Sequence, residues 1–75
     1  MTAMHGTDLE AIVTLLELAA ITLTTDPASR FTYDELLTEA RRYGGDEIVL
    51  DERDVKIVLP HMRYIKRERG LYRLV

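Results

Sequence analysis

The residues with the clearest chemical potential are the basic side chains that gather toward the C-terminal end of the chain. Residues 55–75 hold six bases against one acid, Glu68, for a net charge of +5. The bases are Lys56, Arg63, Lys66, Arg67, Arg69 and Arg73. Residues 1–40 hold seven acids against one base, Arg30, for a net charge of −6. A basic end on an acidic body is typical of a protein that presents one face to an anion. Solvated charges on an exposed hairpin would give the same pattern, so charge alone leaves both interpretations open.

Residues that could support catalysis or hold a metal are few and scattered. The chain has no Cys and a single Ser, Ser29, and no cluster pairs a His with a nucleophile. His5 and His61 are fifty-six positions apart, so the usual zinc spacings are absent. Gly44-Gly45 lacks the Gly-Lys-Ser/Thr continuation of a phosphate-binding loop, and we interpret it as a helix end. We therefore expect no enzymatic activity, no cofactor, no metal site and no small-molecule substrate.

Length and composition limit the class of protein. A chain of 75 residues, 47% hydrophobic and 31% charged, is typical of one small globular domain. We expect residues 1–6 to form a flexible tail and residues 7–75 to form the domain. The most hydrophobic stretch, residues 9–23, is shorter than the roughly 20 apolar residues of a membrane span. The N-terminus lacks the basic start and apolar run of a secretory signal, so we expect a cytoplasmic protein with no membrane partner.

Capping signals predict three helices. The candidate caps are Thr7 with Glu10, Thr32 with Glu35, and Asp51. They place the first helix from Asp8 to about Thr24 and the second from Tyr33 to Tyr43, with Gly44-Gly45 as its end. The third helix is expected from Asp51 to about Leu59. An irregular or kinked turn should follow, because Pro60 removes a backbone hydrogen bond.

Short extended pieces are expected between the helices and at the C-terminal end. Residues 30–32 can form only a brief strand, and residues 47–50 form another that turns Ile48 and Leu50 to one side. The last twelve residues change to a period of two, which predicts a hairpin with Gly70 at a turn position of positive φ. In its last strand, Tyr72 and Leu74 should face the core while Arg73 faces water.

This order of elements resembles the winged-helix domain, a helix-turn-helix variant in which the C-terminal hairpin is the wing. Residues 31–37, Phe-Thr-Tyr-Asp-Glu-Leu-Leu, look like the family's short strand leading into the second helix, and residues 70–74 look like the returning wing strand. The resemblance spans residues 7–75. The chain departs from the family in its seven-residue connection, 44–50, and in Pro60. The resemblance implies an α+β, mainly helical fold with a three-helix core, a short strand and a hairpin.

In that family the third helix commonly enters the DNA major groove and the wing contacts the backbone or minor groove. On a helical wheel, the outward side of the third helix carries basic and aromatic side chains, and the wing adds further bases. These candidate nucleic-acid-binding residues are Arg53, Lys56, Arg63, Tyr64, Lys66, Arg67 and Arg69. The chain has no Asn and no Gln, the residues that read adenine, so we expect mainly backbone and guanine contacts of modest specificity. The resemblance thus implies a small transcription regulator that binds duplex DNA. The alternative is a winged-helix module that binds protein and no DNA.

The first helix carries more apolar surface than a three-helix core needs. Ala11, Leu15 and Leu18 occupy a second flank beside the inward stripe. Coverage of this flank by the wing and the C-terminal strand would explain it. A homodimer through the first helix is the alternative explanation, and it would stabilise a small domain.

Overall fold

The structure is a computed structural model that describes residues 4–45 and 48–75, with side chains described from residue 9 onward in those ranges. It contains α1 (Met4–Leu23), α2 (Tyr33–Gly44), α3 (Glu52–Val58), one turn of 3-10 helix (Leu59–His61), β1 (Ile65–Glu68) and β2 (Leu71–Leu74). The α+β, mainly helical class expected from the sequence is confirmed. No helix within the described ranges is long and apolar enough to span a membrane.

The first helix begins earlier than its capping signal predicts. It starts at Met4, so the start predicted at Asp8 is wrong, and Met4–Gly6 are helical residues of the segment that we expected to be a tail. A capping box marks where a helix can begin, but it does not prevent the helix from extending further back. Gly6 opposes this extension by only about 1 kcal/mol. The other end agrees with the sequence within one residue, since Thr24 already closes the helix by donating to the carbonyl of Ala20.

The second and third helices begin where their caps predict. The Glu35 amide donates to the Thr32 hydroxyl at 3.0 Å, and the Thr32 amide donates to the Glu35 carboxylate at 2.8 Å. The Asp51 carboxylate accepts from the Arg53 amide at 2.9 Å. Past Val58 the chain tightens into the 3-10 turn that contains Pro60, which confirms the irregular turn expected there.

Replacing Thr32 by alanine is expected to lower the free energy of unfolding by about 1 kcal/mol. The change removes the acceptor for the Glu35 amide at the start of α2. Urea unfolding followed by circular dichroism measures the effect. Thr38→Ala is the matched control, because Thr38 lies exposed inside α2 and alanine should stabilise the helix by a few tenths of a kcal/mol. Equal losses in both variants would contradict the capping role of Thr32.

Two adjacent glycines at the end of α2 have different structural roles. Gly45 adopts a positive φ of 59° and its amide donates to the carbonyl of Arg41 at 3.0 Å. Gly44 is a buried helical residue, and a Cβ added there would lie 3.1 Å from Cδ1 of Leu15 and 3.4 Å from Cβ of Ile48. The absence of a side chain at Gly44 therefore allows α1 and α2 to approach closely.

The hairpin is closed by a two-residue turn. Strands β1 and β2 are antiparallel, with Glu68 opposite Leu71, and both Arg69 (φ 53°) and Gly70 (φ 83°) have positive φ. Positive φ at both central residues is what a type I′ turn requires, so the sequence identified only half of this turn. Phe31 then pairs with Tyr72 through amide-to-carbonyl hydrogen bonds of 2.9 and 2.8 Å, which ties the segment before α2 to the hairpin.

A single core joins the three helices and the hairpin. Its largest fully buried side chains are Phe31, Leu16, Leu36 and Val55. Tyr72 and Leu74 pack against it from β2 as predicted, but Arg73 between them is half-buried and paired with Glu68, so the prediction that it faces water is wrong. Of the connecting residues 48–50, Ile48 and Leu50 also turn inward while Val49 is 85% exposed, but these residues form no strand. Glu47, the first residue of that predicted extended piece, lies outside the described residues.

Candidate functional site

A groove of about 690 Å³ separates α3 and its 3-10 turn from the hairpin. We call it the basic groove. Its lining comes from the start of α2, from residues 56–63 and from both strands. The lining residues are Tyr33, Lys56, Leu59, Pro60, Met62, Arg63, Ile65, Lys66, Arg67, Gly70 and Tyr72.

The charge of the basic groove has one sign. Its lining contains four cations, Lys56, Arg63, Lys66 and Arg67, and no Asp or Glu. All four cations are exposed, and among the described residues none of them forms an ion pair. Cations gathered in one lining raise the local concentration of anions, and the Glu52 carboxylate near Tyr33 opposes this at one end of the groove. The geometry therefore suits a ligand that brings several negative charges into one groove.

Two half-buried tyrosines, Tyr33 and Tyr72, add aromatic surface to the basic groove. The Lys56 ammonium lies 5.8 Å from the centroid of the Tyr33 ring, within cation–π range. The Tyr33 hydroxyl is covered from solvent and makes no hydrogen bond within the described part of the chain. Burial raises the pKa of Tyr33, and the nearby carboxylate of Glu52 raises it further. Tyr33 thus adds an aromatic ring beside Lys56 and a covered hydroxyl close to the Glu52 carboxylate.

Glu68, the one acid among residues 55–75, is not part of the lining of the basic groove. Glu68 forms ion pairs with two arginines, with oxygen-to-nitrogen distances of 3.4 Å to Arg30 and 3.2 Å to Arg73. By the hairpin register, Glu68 and Arg73 share one face of the ribbon while Arg67 and Tyr72 share the other. Lys66 lies on the same face as Glu68, yet it also lines the groove, whereas Glu68 is not part of the lining.

The structure brings together four of the seven residues proposed from the sequence and separates the other three. Lys56, Arg63, Lys66 and Arg67 line the basic groove. Arg53 is exposed on α3, one turn before Lys56, but is not part of the lining. Arg69 lies at the hairpin turn beside Arg30, Glu68 and Leu71. Tyr64 lies in a second groove between α1 and α3.

The helical wheel does not describe the residues after Pro60. The regular helix ends at Val58, so Arg63 and Tyr64 are placed by the turn that follows and not by a period of 3.6 residues. Both side chains are exposed as expected; Arg63 lines both grooves, whereas Tyr64 lines only the second one. Sequence reasoning also missed Tyr33, which had been interpreted only as the first residue of a helix. No local pattern places Tyr33 in the groove. Its position depends on the pairing of Phe31 with Tyr72, which brings the start of α2 to the hairpin.

The partner surface proposed on α1 needs correction. Leu15 is buried, and it packs against the end of α2 at Gly44, so it is not available to a partner. Coverage by the wing and the C-terminal strand was one explanation offered for this flank, and at Leu15 the structure places the end of α2. Ala11 is half-buried, and Leu18 is 40% exposed. The sequence shows that a helix has an apolar flank, but it does not show which neighbouring helix covers that flank.

No group of three or more metal-ligating side chains comes together within the described residues. His61 lies exposed in the 3-10 turn. Comparison of the chain with models of known protein families, with curated proteins and with solved structures finds no match. What the chain binds must therefore be inferred from its own residues and their geometry.

Proposed function

We propose that this chain binds duplex DNA, with the phosphate backbone of one strand lying in the basic groove. The observation that carries the proposal is the set of four cations, Lys56, Arg63, Lys66 and Arg67, that line one groove with no acid among them. Phosphate neutralisation by Lys and Arg supplies most of the affinity of non-specific DNA binding. A groove between a helix and a hairpin can hold one strand between two sets of contacts.

The element order supports a winged-helix assignment within this proposal. An isolated bridge at Phe31 precedes α2 and pairs with Tyr72 of β2, and the two-stranded hairpin would be the wing. In this assignment α3 is the recognition helix, and Arg53 extends its exposed side. The protein would then be a small transcription regulator whose helix and wing contact the same duplex.

The composition of the surface favours backbone contacts over base reading. The chain has no Asn or Gln, and α3 is seven residues long with acids at Glu52 and Asp54 in its first turn. Adenine recognition commonly needs Asn or Gln, whereas Arg can contact both guanine and phosphate. We therefore propose modest sequence specificity, with guanine as the base that Arg63 or Arg53 would contact.

The decisive measurement is a titration of labelled duplex DNA with the protein at two salt concentrations. If the four groove cations each neutralise a phosphate, log K should fall with log salt with a slope of about −3.6. A fourfold rise in salt should then weaken binding about a hundredfold. Amide shifts should cluster at Tyr33, Lys56, Arg63, Lys66 and Arg67. Absence of binding at low salt with micromolar protein would overturn the proposal.

The second candidate function is a winged-helix module that binds protein and no DNA. It is favoured by the exposed hydrophobic side chains of Leu18, Ile57 and Tyr64. Leu15, which was part of the same hypothesis, is buried and does not contribute. If this candidate is correct, charge reversal at Arg67 should leave partner binding unchanged while changes at Ile57 weaken it.

A further inference from the structure

A second groove, of about 450 Å³, runs between α1 and α3 on the side of α3 away from the hairpin. We call it the apolar groove. Its lining residues are Leu9, Val13, Glu17, Ile57, Val58, His61, Met62, Arg63 and Tyr64. Six of these nine side chains are hydrophobic or aromatic, and no side chain among those that the structure describes fills the groove.

Several large hydrophobic side chains of the apolar groove are exposed to solvent. Ile57 is 59% exposed, Tyr64 is 56% exposed, and Leu9 at the α1 wall is also exposed. Isolated exposed hydrophobic residues are common, but these three line one concavity together with Val13 and Met62. Contiguous apolar surface rimmed by charge is typical of a protein interaction site.

The charges of the apolar groove lie on opposite walls. The α1 wall contributes the acid Glu17, and the wall after α3 contributes His61 and Arg63. Within the described residues, neither Glu17 nor Arg63 takes part in an ion pair. A patch that carries one acid and one base across an apolar centre is complementary to a copy of itself turned by a two-fold rotation.

We propose that the occupant of the apolar groove is a second copy of this chain. In the resulting homodimer, Glu17 of each subunit faces Arg63 of the partner subunit, and Leu9, Ile57 and Tyr64 interdigitate around the two-fold axis. The interface is isologous, so each pair occurs twice. This proposal differs from a dimer through Ala11, Leu15 and Leu18, since it uses the flank of α1 that adjoins α3. It does not depend on DNA binding.

The first test compares two hydrophobic-to-acid variants by sedimentation equilibrium over a range of protein concentrations. The parent is expected to dimerise, and Ile57→Asp should raise the dimer dissociation constant at least tenfold, because two carboxylates enter the apolar centre. Val49→Asp is the matched control. Val49 is 85% exposed, lies outside the apolar groove, and its change should leave the constant within twofold of the parent. A monomeric parent at millimolar concentration would overturn the proposal.

The second test uses charge reversal, which separates docking from folding. Glu17→Arg and Arg63→Glu should each weaken the dimer about tenfold, because each change turns two attractive pairs into two repulsive ones. The variant carrying both changes restores opposite charges across the two-fold axis, so it should return to within threefold of the parent. A double variant as weak as the single variants would overturn the assigned pairing, and circular dichroism checks that all variants are folded.

Discussion

Replacing Phe31 by alanine is expected to leave most of the protein unfolded at 25 °C. Phe31 is 2% exposed and is one of the largest fully buried side chains in the core. Phe-to-Ala changes in cores cost about 3–5 kcal/mol, because the side chain is removed and a cavity remains. A domain of this size rarely has more than about 3–5 kcal/mol of stability from its core, so the loss is comparable with the whole.

Phe31 also joins the segment before α2 to the hairpin, through the one isolated bridge found among the described residues. Its backbone pairs with Tyr72 of β2, and its side chain lies in the core. Loss of the side chain should therefore release the hairpin from the helices as well as weaken the core. In a partly folded variant, the amides of β1 and β2 should exchange with solvent faster than those of α2.

Urea unfolding followed by circular dichroism and fluorescence measures this effect. Phe31→Leu keeps most of the side-chain volume, and it should remain folded with a loss of about 1.5 kcal/mol or less. Tyr43→Ala is the control for removal of an aromatic ring at an exposed position, and it loses one hydrogen bond to Thr22. Its cost should be near 1 kcal/mol. A Phe31→Ala variant as stable as Tyr43→Ala would show that Phe31 does not hold the core together.

Features set by hydrogen bonds between near neighbours in sequence were predictable. The box formed by Thr32 and Glu35 closes over three residues, and Asp51 caps an amide two residues away. Pro60 acts through its own ring and missing donor, so the change from α3 to a 3-10 turn follows from one residue. Local chemistry of this kind is present in any conformation that brings a few consecutive residues into the right backbone geometry.

Features set by contacts between distant elements were not predictable. The flank of α1 at Leu15 looked free because a helical pattern shows which side chains share a face, and not which helix will cover them. The deciding residue is Gly44, whose missing side chain permits α2 to approach Leu15. The position of Tyr33 in the basic groove depends in the same way on pairing across forty-one residues, from Phe31 to Tyr72.

The cations of the basic groove could be found from composition. They lie close together in sequence, on one short helix, the turn after it and one hairpin, so they also lie close together in the folded chain. The sequence could not say which faces of the ribbon the charges would occupy. Strand alternation separates Arg67 from Glu68, and Glu68 is neutralised between Arg30 and Arg73. The net charge of −3 therefore describes the whole chain and not the surface that an anion would meet.

Arg67 is the groove cation whose reversal should weaken DNA binding most. It lies opposite Tyr72 in the hairpin register, on the face of the ribbon that lines the basic groove, and it has no ion pair within the described residues. A carboxylate at this position would remove the proposed phosphate contact of Arg67, repel phosphate, and partly neutralise Lys56 and Arg63. Because the position is exposed, the change should alter the free energy of unfolding by less than about 0.5 kcal/mol.

Arg67→Glu is expected to lower duplex affinity at least tenfold at low salt, and to reduce the slope of log K against log salt by about 1. Arg42→Glu is the matched control. It changes the net charge by the same amount, from −3 to −5, but Arg42 lies at the end of α2 outside the basic groove. If long-range charge alone governed binding, the two variants would lose affinity equally. If phosphate lies in the groove, Arg67→Glu loses far more, because a direct contact acts within a few ångströms whereas net charge is screened beyond about 10 Å at 0.1 M salt.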